Sequence, residues 1–328
     1  MKEFFTAKSM VELKDISAAY QRIQGVTNHT PVLTSRTINK ITGCTVYFKC
    51  ENMQRGGAFK FRGAYNAISQ LSEEEKKKGI IAHSSGNHAQ AVSLVSNLLG
   101  IKVVIVMPRN SPRVKLEATK GYGADVILCE PTPAGRVAKT NELINEYGYH
   151  LIHPYDNENI IAGAGPAAFE LIKEVECLDY IFGPVGGGGL ISGTGIAAKG
   201  LCKDIKVIAV EPENADDAYR SFKTGEIHPS INPSTIADGL RTQLSPLTFK
   251  YVRANVDDII LVSENEIVDA MRLLWERMKI VVEPSGAVSL AGLLKISKKI
   301  QNSKVGVILS GGNIDLDEFF LKLKELIR

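Results

Sequence analysis

Residues 180–193 read Tyr-Ile-Phe-Gly-Pro-Val-Gly-Gly-Gly-Gly-Leu-Ile-Ser-Gly. The apolar run at the start predicts a buried strand over Tyr180–Pro184, and the run after the glycines predicts a helix from Leu190. Four consecutive glycines separate the two elements: Gly186, Gly187, Gly188 and Gly189. Because these residues have no Cβ atom, their backbone N–H groups can converge on an anion at the positive end of the helix dipole. The stretch therefore predicts a strand–loop–helix unit that binds a phosphate monoester.

This glycine loop differs from two familiar nucleotide-binding loops. It lacks the Lys-Ser/Thr pair of a Walker motif and does not fit the G-x-G-x-x-G pattern. The stretch Gly163–Ala168 fits the alanine variant of that pattern, but the preceding predicted strand ends near His153, too early for a tight strand–helix turn. We therefore do not predict a dinucleotide site. A flexible turn is the other interpretation of the glycine loop, although four glycines lose much conformational entropy when they are ordered.

Strand-like and helix-like segments alternate on both sides of this unit. The predicted strands are 46–50, 80–83, 103–107, 126–129, 149–153, 180–184, 207–211 and 305–309. The predicted helices are 60–71, 87–99, 112–120, 137–147, 167–175, 190–201, 264–278 and 285–299. This alternation predicts an α/β fold with parallel-rich sheets and helices on both faces. Long loops are expected over 212–257. Ligands bind at the carboxyl ends of such strands, so the polar motifs that follow strands are the candidate site residues.

Composition and charge are typical of a soluble globular protein and predict neither a membrane nor a nucleic-acid partner. The chain has 328 residues, enough for two domains, and its net charge of +3 is spread without a basic patch that would predict nucleic-acid binding. It has no apolar run of membrane-spanning length, and Met1–Phe5 lacks the apolar core of a signal peptide. The cysteines are odd in number and widely spaced, which predicts reduced thiols in a cytoplasmic compartment and no zinc site. They are Cys44, Cys50, Cys129, Cys177 and Cys202.

A lysine lies between two aromatic residues in the stretch Gly56–Ala64. Lys60 is flanked by Phe59 and Phe61 where a helix is predicted to begin. Burial lowers the pKa of an ammonium group, and a neutral amine is both a nucleophile and a base. The segment has the properties that a Schiff-base lysine needs. A surface lysine with its stem over one of the rings is the alternative.

Two more polar motifs follow predicted strands. Ser84-Ser85-Gly86-Asn87-His88 precedes a predicted helix, so its hydroxyls could cap that helix or, with free N–H groups, hold a carboxylate. Ser310-Gly311-Gly312-Asn313 follows the last strand and forms either a simple turn or a hydroxyl donor to a ring nitrogen.

An acidic motif follows the strand over 207–211. Glu211, the carbonyl group of Ala215 and Asp217 could supply oxygen ligands to Mg²⁺ or Ca²⁺. The competing interpretation is that these acidic residues cap the helix that follows.

Together, the Lys60 segment, the Ser84–His88 motif, the glycine loop and the Ser310–Asn313 motif resemble the fold-type II pyridoxal-phosphate enzymes. The resemblance covers nearly the whole chain and is to the serine/threonine dehydratase and serine racemase group. It implies a tryptophan synthase β-like fold with a large cofactor-binding domain, residues 1–77 and 156–328. A small domain, residues 78–155, would close over the substrate. It also implies a homodimer.

The resemblance assigns a role to each matching residue. Lys60 would hold the cofactor covalently and act as the base at the substrate Cα. Phe59 would pack beside the pyridine ring, Asn87 would bond the phenolic oxygen, and Gly186 to Gly189 would hold the phosphate. Ser310 would face the pyridine nitrogen and leave it largely unprotonated, which suits β-elimination. The substrate carboxylate would be bound by Ser84, Asn87 and His88.

Finer features favour the serine racemase and 3-hydroxyaspartate dehydratase branch. Ser85 stands where degradative threonine dehydratases usually carry alanine, and it would handle the proton on the ring face opposite Lys60. Glu211, Ala215 and Asp217 match a divalent-metal site for Mg²⁺, Ca²⁺ or Mn²⁺. Arg136 matches a residue that closes over the substrate and could bind a second carboxylate.

Some positions depart from the family pattern. Ala58 replaces a common serine that is not the base, so we expect little effect. Arg36, Thr37, Arg55 and Gly56 differ from the nucleotide site of eukaryotic serine racemases, so we do not expect activation by ATP. We also do not expect the regulatory domain of biosynthetic threonine dehydratases or their feedback inhibition by isoleucine.

The predicted function is therefore that of an ammonia-lyase that converts L-serine, L-threonine or related β-hydroxy amino acids to 2-oxo acids and ammonium, with some serine racemisation. One alternative is an enzyme whose main role is serine racemisation, and another is a threo-3-hydroxyaspartate dehydratase. A β-replacement enzyme of the cysteine-synthase type and a non-catalytic binding protein are more distant alternatives.

Overall fold

The computed structural model describes residues 10–111, 113–317 and 319–321, apart from the side chains of residues 114 and 133. The strands are β1 (Val32–Thr34), β2 (Thr45–Cys50), β3 (Ile80–His83), β4 (Val103–Pro108), β5 (Asp125–Cys129), β6 (His150–Leu151), β7 (Tyr180–Pro184), β8 (Lys206–Pro212), β9 (Asp258–Val262) and β10 (Lys304–Leu309). The helices are α1 (Leu13–Ile23), α2 (Arg36–Thr42), α3 (Lys60–Ile68), α4 (Glu73–Lys78), α5 (Asn87–Leu98), α6 (Arg113–Gly121), α7 (Pro133–Tyr147), α8 (Glu158–Ala164), α9 (Pro166–Val175), α10 (Gly189–Leu201), α11 (Asp217–Thr224), α12 (Pro246–Asn255), α13 (Glu264–Leu273) and α14 (Pro284–Ile296). The predicted helix start at Pro112 and the segment Met1–Phe5 lie outside the described residues.

The larger sheet has six strands in the order β1-β2-β10-β7-β8-β9. Strands β1 and β2 are antiparallel, and the other neighbours are parallel. One face packs on a cluster that includes α1, α9, α10 and α12, and the other face packs on α13 and α14. Burial on both faces explains why its central strands read as continuous apolar runs. The predicted α/β fold with a parallel-rich sheet is confirmed.

The smaller sheet has four parallel strands in the order β5-β4-β3-β6. Helix α5 packs on one face and α7 on the other. All four strands lie between residues 78 and 155, the range expected for a small domain. The division into two domains, and the motion of one against the other, stay predictions.

The structure corrects the expectation of long loops over 212–257. Helices α11 and α12 lie in this range, and the irregular segment is shorter, residues 225–245. Helix α12 begins with a capping box formed by Ser245 and Thr248, with Pro246 in its first turn. Proline in the first turn often marks the start of a helix. The sequence analysis instead read the prolines of this region as loop residues.

Four buried charges fix the helix that begins with Lys60. The Arg62 guanidinium binds Glu51 at 2.8 Å and Glu170 at 2.7 Å, and Lys49 binds Glu170 at 2.7 Å. All four side chains are at most 3% exposed, and their charges sum to zero. A buried charge is tolerated only when it is paired and hydrogen-bonded, so this cluster ties α3 firmly to β2 and α9.

Two cysteines contradict the expectation of reduced thiols. Cys177 and Cys202 form a disulfide, although they are 25 residues apart in sequence. Cys177 precedes β7 and Cys202 follows α10, and the chain doubles back so that their Cα atoms lie 5.9 Å apart. Sequence spacing does not reveal such a pairing. Cys44, Cys50 and Cys129 are buried and free. In the part of the chain that the structure describes, no helix has the length and apolar character needed to cross a membrane.

Candidate active site

The motifs that follow the strands meet at the carboxyl end of the larger sheet. The Phe59 N–H donates to the Ser310 carbonyl at 3.0 Å, and the Gly312 N–H donates to the Gly57 carbonyl at 2.9 Å. These backbone bonds join the Lys60 segment directly to the Ser310–Asn313 motif, since β2 and β10 are neighbours. Two motifs that are 250 residues apart in the chain therefore share one cleft.

Lys60 is the first residue of α3, and its amine lies at the centre of this cleft. Its Nζ donates to the Pro154 carbonyl at 2.8 Å and lies 5.0 Å from the centre of the Phe59 ring. Burial lowers the pKa of Lys60 to about 8. A lysine with this pKa has a substantial neutral fraction near neutral pH, which a nucleophile or base requires.

The glycine loop packs so tightly that larger residues do not fit. A Cβ on Gly186 would lie 2.9 Å from the Leu240 Cα, and one on Gly187 would overlap the Tyr155 ring. Gly188 has a φ of +87°, and a Cβ there would meet Leu244 and Thr248. Helix α10 begins at Gly189, so the N–H groups of its first turn have no intrahelical acceptor. These bare amides at a helix N-terminus fit the phosphate of the predicted cofactor.

The Ser84–His88 motif does not cap α5 with a hydroxyl. The N-cap is Gly86, without a side-chain hydrogen bond, and the Ser84 Oγ accepts from the Gly86 N–H at 3.2 Å. The capping interpretation is therefore wrong. The first-turn amides of α5 stay available to an anion, beside the half-buried hydroxyls of Ser84 and Ser85.

His88 is buried and neutral. Its Nε2 bonds the Ile152 carbonyl at 2.9 Å, and burial together with the nearby Lys60 charge holds the pKa of His88 well below its usual value. A neutral ring that already donates to a carbonyl offers little to a carboxylate. The backbone N–H of His88, in the first turn of α5, is the better donor for that group.

Asn87 is held on both sides of its amide. Its Nδ2 donates to the Glu283 Oε1 at 2.7 Å, and its Oδ1 accepts from the Asn313 Nδ2 at 2.9 Å. Burial, with a smaller effect of Asp238, raises the pKa of Glu283 to about 8. This leaves one Asn87 N–H in a fixed direction for a ligand such as the phenolic oxygen. The Ser310 Oγ makes only a long 3.4 Å bond to the Ser285 carbonyl, so it can rotate toward a ring nitrogen.

Arg136 lies in the first turn of α7, and its charge reaches the cleft. It lowers the pKa of His83, where burial is the larger cause, and it opposes the effect of burial on the pKa of Tyr155. The Arg136 charge is therefore within electrostatic reach of His83 and Tyr155, two residues that border the cleft.

The acidic motif caps a helix, which is one of the two uses considered for it. Glu211 accepts from the Ala218 and Tyr219 amides at 3.0 and 2.7 Å, so it caps α11. Within the described residues, no donor has good hydrogen-bond geometry to the two buried carboxylate oxygens of Asp217, although the Ser230 hydroxyl is close enough to interact with them. Burial raises the pKa of Asp217 to about 6, partly offset by the Ser230 hydroxyl, and raises the pKa of Glu211 well above its usual value.

The donor set for a cation is therefore small. Glu211 and Asp217 are buried beside Ala215, so their carboxylates are the oxygen donors that a hard cation would use there. No group of three His, Cys, Asp or Glu side chains that could hold a metal is present among residues 10–111, 113–317 and 319–321. A site there would depend on backbone carbonyls and water.

Sequence reasoning missed the segment His153-Pro154-Tyr155. The Pro154 carbonyl accepts a hydrogen bond from the Lys60 amine, and the Tyr155 ring lies against Gly187. The available signal was its place directly after a predicted strand, at the edge where parallel strands present their ligands.

Comparison with known proteins identifies the family. A model described as pyridoxal-phosphate dependent enzyme matches residues 23–311. The chain belongs to this family. The serine racemase of Dictyostelium discoideum is 53% identical over 310 residues, which cover 93% of this chain and 96% of that protein. The L-threo-3-hydroxyaspartate ammonia-lyase of Saccharomyces cerevisiae is 49% identical over 306 residues, which cover 93% of this chain and 94% of that protein.

The structural comparison agrees. The crystal structure of Dictyostelium discoideum serine racemase has a TM-score of 0.90 and 52% identity, and the match covers 94% of this chain and 100% of that one. The predicted family, its racemase and 3-hydroxyaspartate dehydratase branch, and its class of pyridoxal-phosphate-dependent lyases and racemases are confirmed. The enzyme's cofactor is therefore pyridoxal phosphate.

Proposed function

We propose that the enzyme is an ammonia-lyase for small β-hydroxy amino acids that also racemises serine. Its substrates would be L-serine, L-threonine and L-threo-3-hydroxyaspartate, and its elimination products would be a 2-oxo acid and ammonium. The observation that carries this proposal is the half-buried Lys60, whose amine has its pKa lowered to about 8, in the same cleft as a bare-amide phosphate cradle. The relatives with named activities belong to this reaction class.

The residues present fit the cofactor. The phosphate would lie on Gly186–Gly189 and the first turn of α10, Phe59 would pack beside the ring, and Asn87 and Ser310 would bond its oxygen and nitrogen. When bound, the cofactor supplies the electron sink that makes the substrate Cα proton acidic. Lys60 would remove that proton from one face.

The substrate side would bind and orient the amino acid. The amides of α5, with the hydroxyl of Ser84 and the Asn87 side chain, would hold the α-carboxylate. Ser85 would exchange the Cα proton on the face opposite Lys60. Arg136 would bind a second carboxylate, which is why 3-hydroxyaspartate is included among the substrates.

We also propose a divalent cation, Mg²⁺ in the first place, with Ca²⁺ or Mn²⁺ as alternatives. It would lie between Glu211, the Ala215 carbonyl and Asp217. The burial of Glu211 and Asp217 side by side supports this, because two buried carboxylates are unfavourable unless cations or hydrogen bonds compensate them fully. Asp217→Ala should abolish the response of activity to Mg²⁺ and EDTA. A variant that still responded fully would remove this assignment.

The homodimer and the cytoplasmic location stay proposals that rest on the family resemblance and the sequence. Analytical ultracentrifugation tests the first and cell fractionation tests the second.

The experiment that tests the function is borohydride reduction of the enzyme with its cofactor, followed by peptide mapping. The tag should be on Lys60, and the Lys60→Ala variant should carry none. Steady-state rates with serine, threonine and 3-hydroxyaspartate, combined with chiral analysis of serine, then rank the reactions. A tag on another lysine, or no 2-oxo acid from any of the three substrates, would refute the proposal.

A further inference from the structure

The segment that leads from β6 to α8 touches three parts of the active-site cleft. The Pro154 carbonyl accepts from the Lys60 Nζ at 2.8 Å. The Tyr155 ring lies against Gly187 of the phosphate cradle. The His153 ring packs edge-on against His83, at the end of β3, with ring centres 5.5 Å apart. One short segment therefore connects the lysine, the phosphate cradle and the smaller sheet.

The His153 side chain closes the turn that presents this carbonyl. Its Nδ1 accepts from the Asp156 N–H at 2.8 Å and, more weakly, from the Tyr155 N–H at 3.4 Å. Both partners are backbone donors, so Nδ1 carries no proton and Nε2 does. Burial, with smaller effects of His83 and Lys60, lowers the pKa of His153 to about 4, so the acceptor persists at neutral pH.

A carbonyl group that accepts a hydrogen bond from a catalytic amine determines the direction of the lone pair on the amine nitrogen. A neutral primary amine has two N–H bonds and one lone pair. If one N–H is donated to a fixed oxygen, the lone pair is restricted to directions away from that oxygen. Small errors in the direction of a catalytic group reduce rates strongly.

We propose that His153 is a positioning residue: by closing the 153–156 turn, it holds the Pro154 carbonyl where it orients the Lys60 amine. The inference rests on the proposed role of Lys60 as the base. It assigns to His153 no contact with the substrate.

Three substitutions of His153 distinguish its role as the hydrogen-bond acceptor of the turn from the packing of its aromatic ring. His153→Asn places an amide oxygen where it can accept from the same backbone N–H, as in an Asx turn. His153→Phe keeps an aromatic ring against His83 and Tyr155 but has no acceptor. His153→Ala removes both. His150→Ala is the matched control, because His150 lies on β6 and pairs with Glu75 at the surface.

We expect kcat to fall about 10- to 100-fold in His153→Phe and His153→Ala, with a much smaller change in KM. His153→Asn should retain most of kcat, and the His150 variant should match the parent. A second readout uses the cofactor-free chain: the pH dependence of its capture of pyridoxal phosphate reports the pKa of Lys60. Loss of the carbonyl acceptor should lower this pKa by about one unit in the Phe and Ala variants, but not in the Asn variant.

Each outcome supports or overturns the inference. Equal damage in the Asn and Phe variants would assign the effect to the imidazole ring itself, and parental behaviour in the Phe variant would show that the turn does not matter. If His153→Ala does not fold, the Asn and Phe pair decides. Borohydride mapping on the same samples keeps the two proposals apart, because a parent enzyme without a tag on Lys60 contradicts the proposed function, whereas tagged variants with parental kinetics contradict only this inference.

Discussion

The phosphate side of the cleft is held much more firmly than the substrate side. Gly186–Gly189 are buried, and a methyl group added to Gly187 would collide with Tyr155. On the other side, Ser84–Asn87 are half-buried, and Gly86 has nothing within 4 Å of where a Cβ would lie. Both loops have small residues, but for opposite reasons. Close packing requires glycine on the phosphate side, whereas the substrate side has open space.

The difference follows from what lies behind each loop. The glycine loop joins β7, a central strand of the larger sheet, to α10, which packs on that sheet within an extensive apolar cluster. The Ser84–His88 loop joins β3 and α5 of the four-stranded sheet, which has smaller clusters. A rigid cradle suits a resident cofactor, whereas an open loop suits a substrate that enters and leaves in every cycle. The following predictions test this contrast.

The largest effect is expected from glycine-to-alanine substitutions on the two sides. Gly187→Ala should weaken the binding of pyridoxal phosphate at least 100-fold, because the new methyl group displaces Tyr155 from the cradle. Gly86→Ala, the matched substitution, should change cofactor affinity less than about threefold, because it meets no atom. Fluorescence titration of the cofactor-free chain measures both. Similar losses in the two variants would contradict the contrast.

A substitution on the substrate side should affect the racemisation of serine more than its dehydration. Ser85→Ala should reduce D-serine formation about 100-fold or more while much of the L-serine dehydration survives, since only racemisation needs an acid or base on the second face. Chiral chromatography and a pyruvate assay on one sample provide the ratio. If both rates fell equally, Ser85 would not act on one face alone.

The pKa of Lys60 predicts a pH dependence for cofactor capture. With a pKa of about 8, the neutral fraction is roughly 9% at pH 7 and 91% at pH 9, so the capture rate should rise about tenfold over this range. An exposed lysine would instead rise about a hundredfold, because its pKa is near 10.4. Stopped-flow absorbance of the cofactor-free chain measures the profile. A rise that continues unchanged beyond pH 9 would show that burial does not lower this pKa.

The smallest effect on activity should come from the disulfide behind the phosphate cradle. It joins Cys177, just before β7, to Cys202, just after α10. The loop that the disulfide closes therefore contains the whole strand–loop–helix unit. Cys177→Ser should lower Tm by roughly 5 °C, because the unfolded chain regains loop entropy. Turnover at 25 °C should not change, since Cys202 lies about 20 Å from the loop at the far end of α10. Differential scanning calorimetry with thiol counting tests this.

Either of two results would contradict the prediction that the disulfide stabilises the fold without affecting turnover. A parent enzyme with five reactive thiols after purification under oxidising conditions would show that the cross-link does not form. A large loss of turnover in Cys177→Ser would show that packing alone does not hold the cradle rigid.

Local sequence patterns predicted most of the strands and helices and the chemistry of the site. The strand–glycine–helix unit, the Lys60 segment and the parallel-rich α/β fold could be predicted, because periodicity, helix start signals and the missing Cβ of glycine are local properties. The two motifs that carry the cofactor chemistry could also be assigned to one edge, because parallel strands present their carboxyl ends on the same side.

The distant residues that support this chemistry are brought to the site by the tertiary fold. The Pro154 carbonyl on Lys60, the clamp of Glu283 and Asn313 on Asn87, and the pairing of Cys177 with Cys202 join residues that lie 25 to 226 positions apart. Such contacts depend on the order of the strands in a sheet and on where each crossover returns. No local pattern contains that information, because a side chain's partners are determined by the packing of the whole fold.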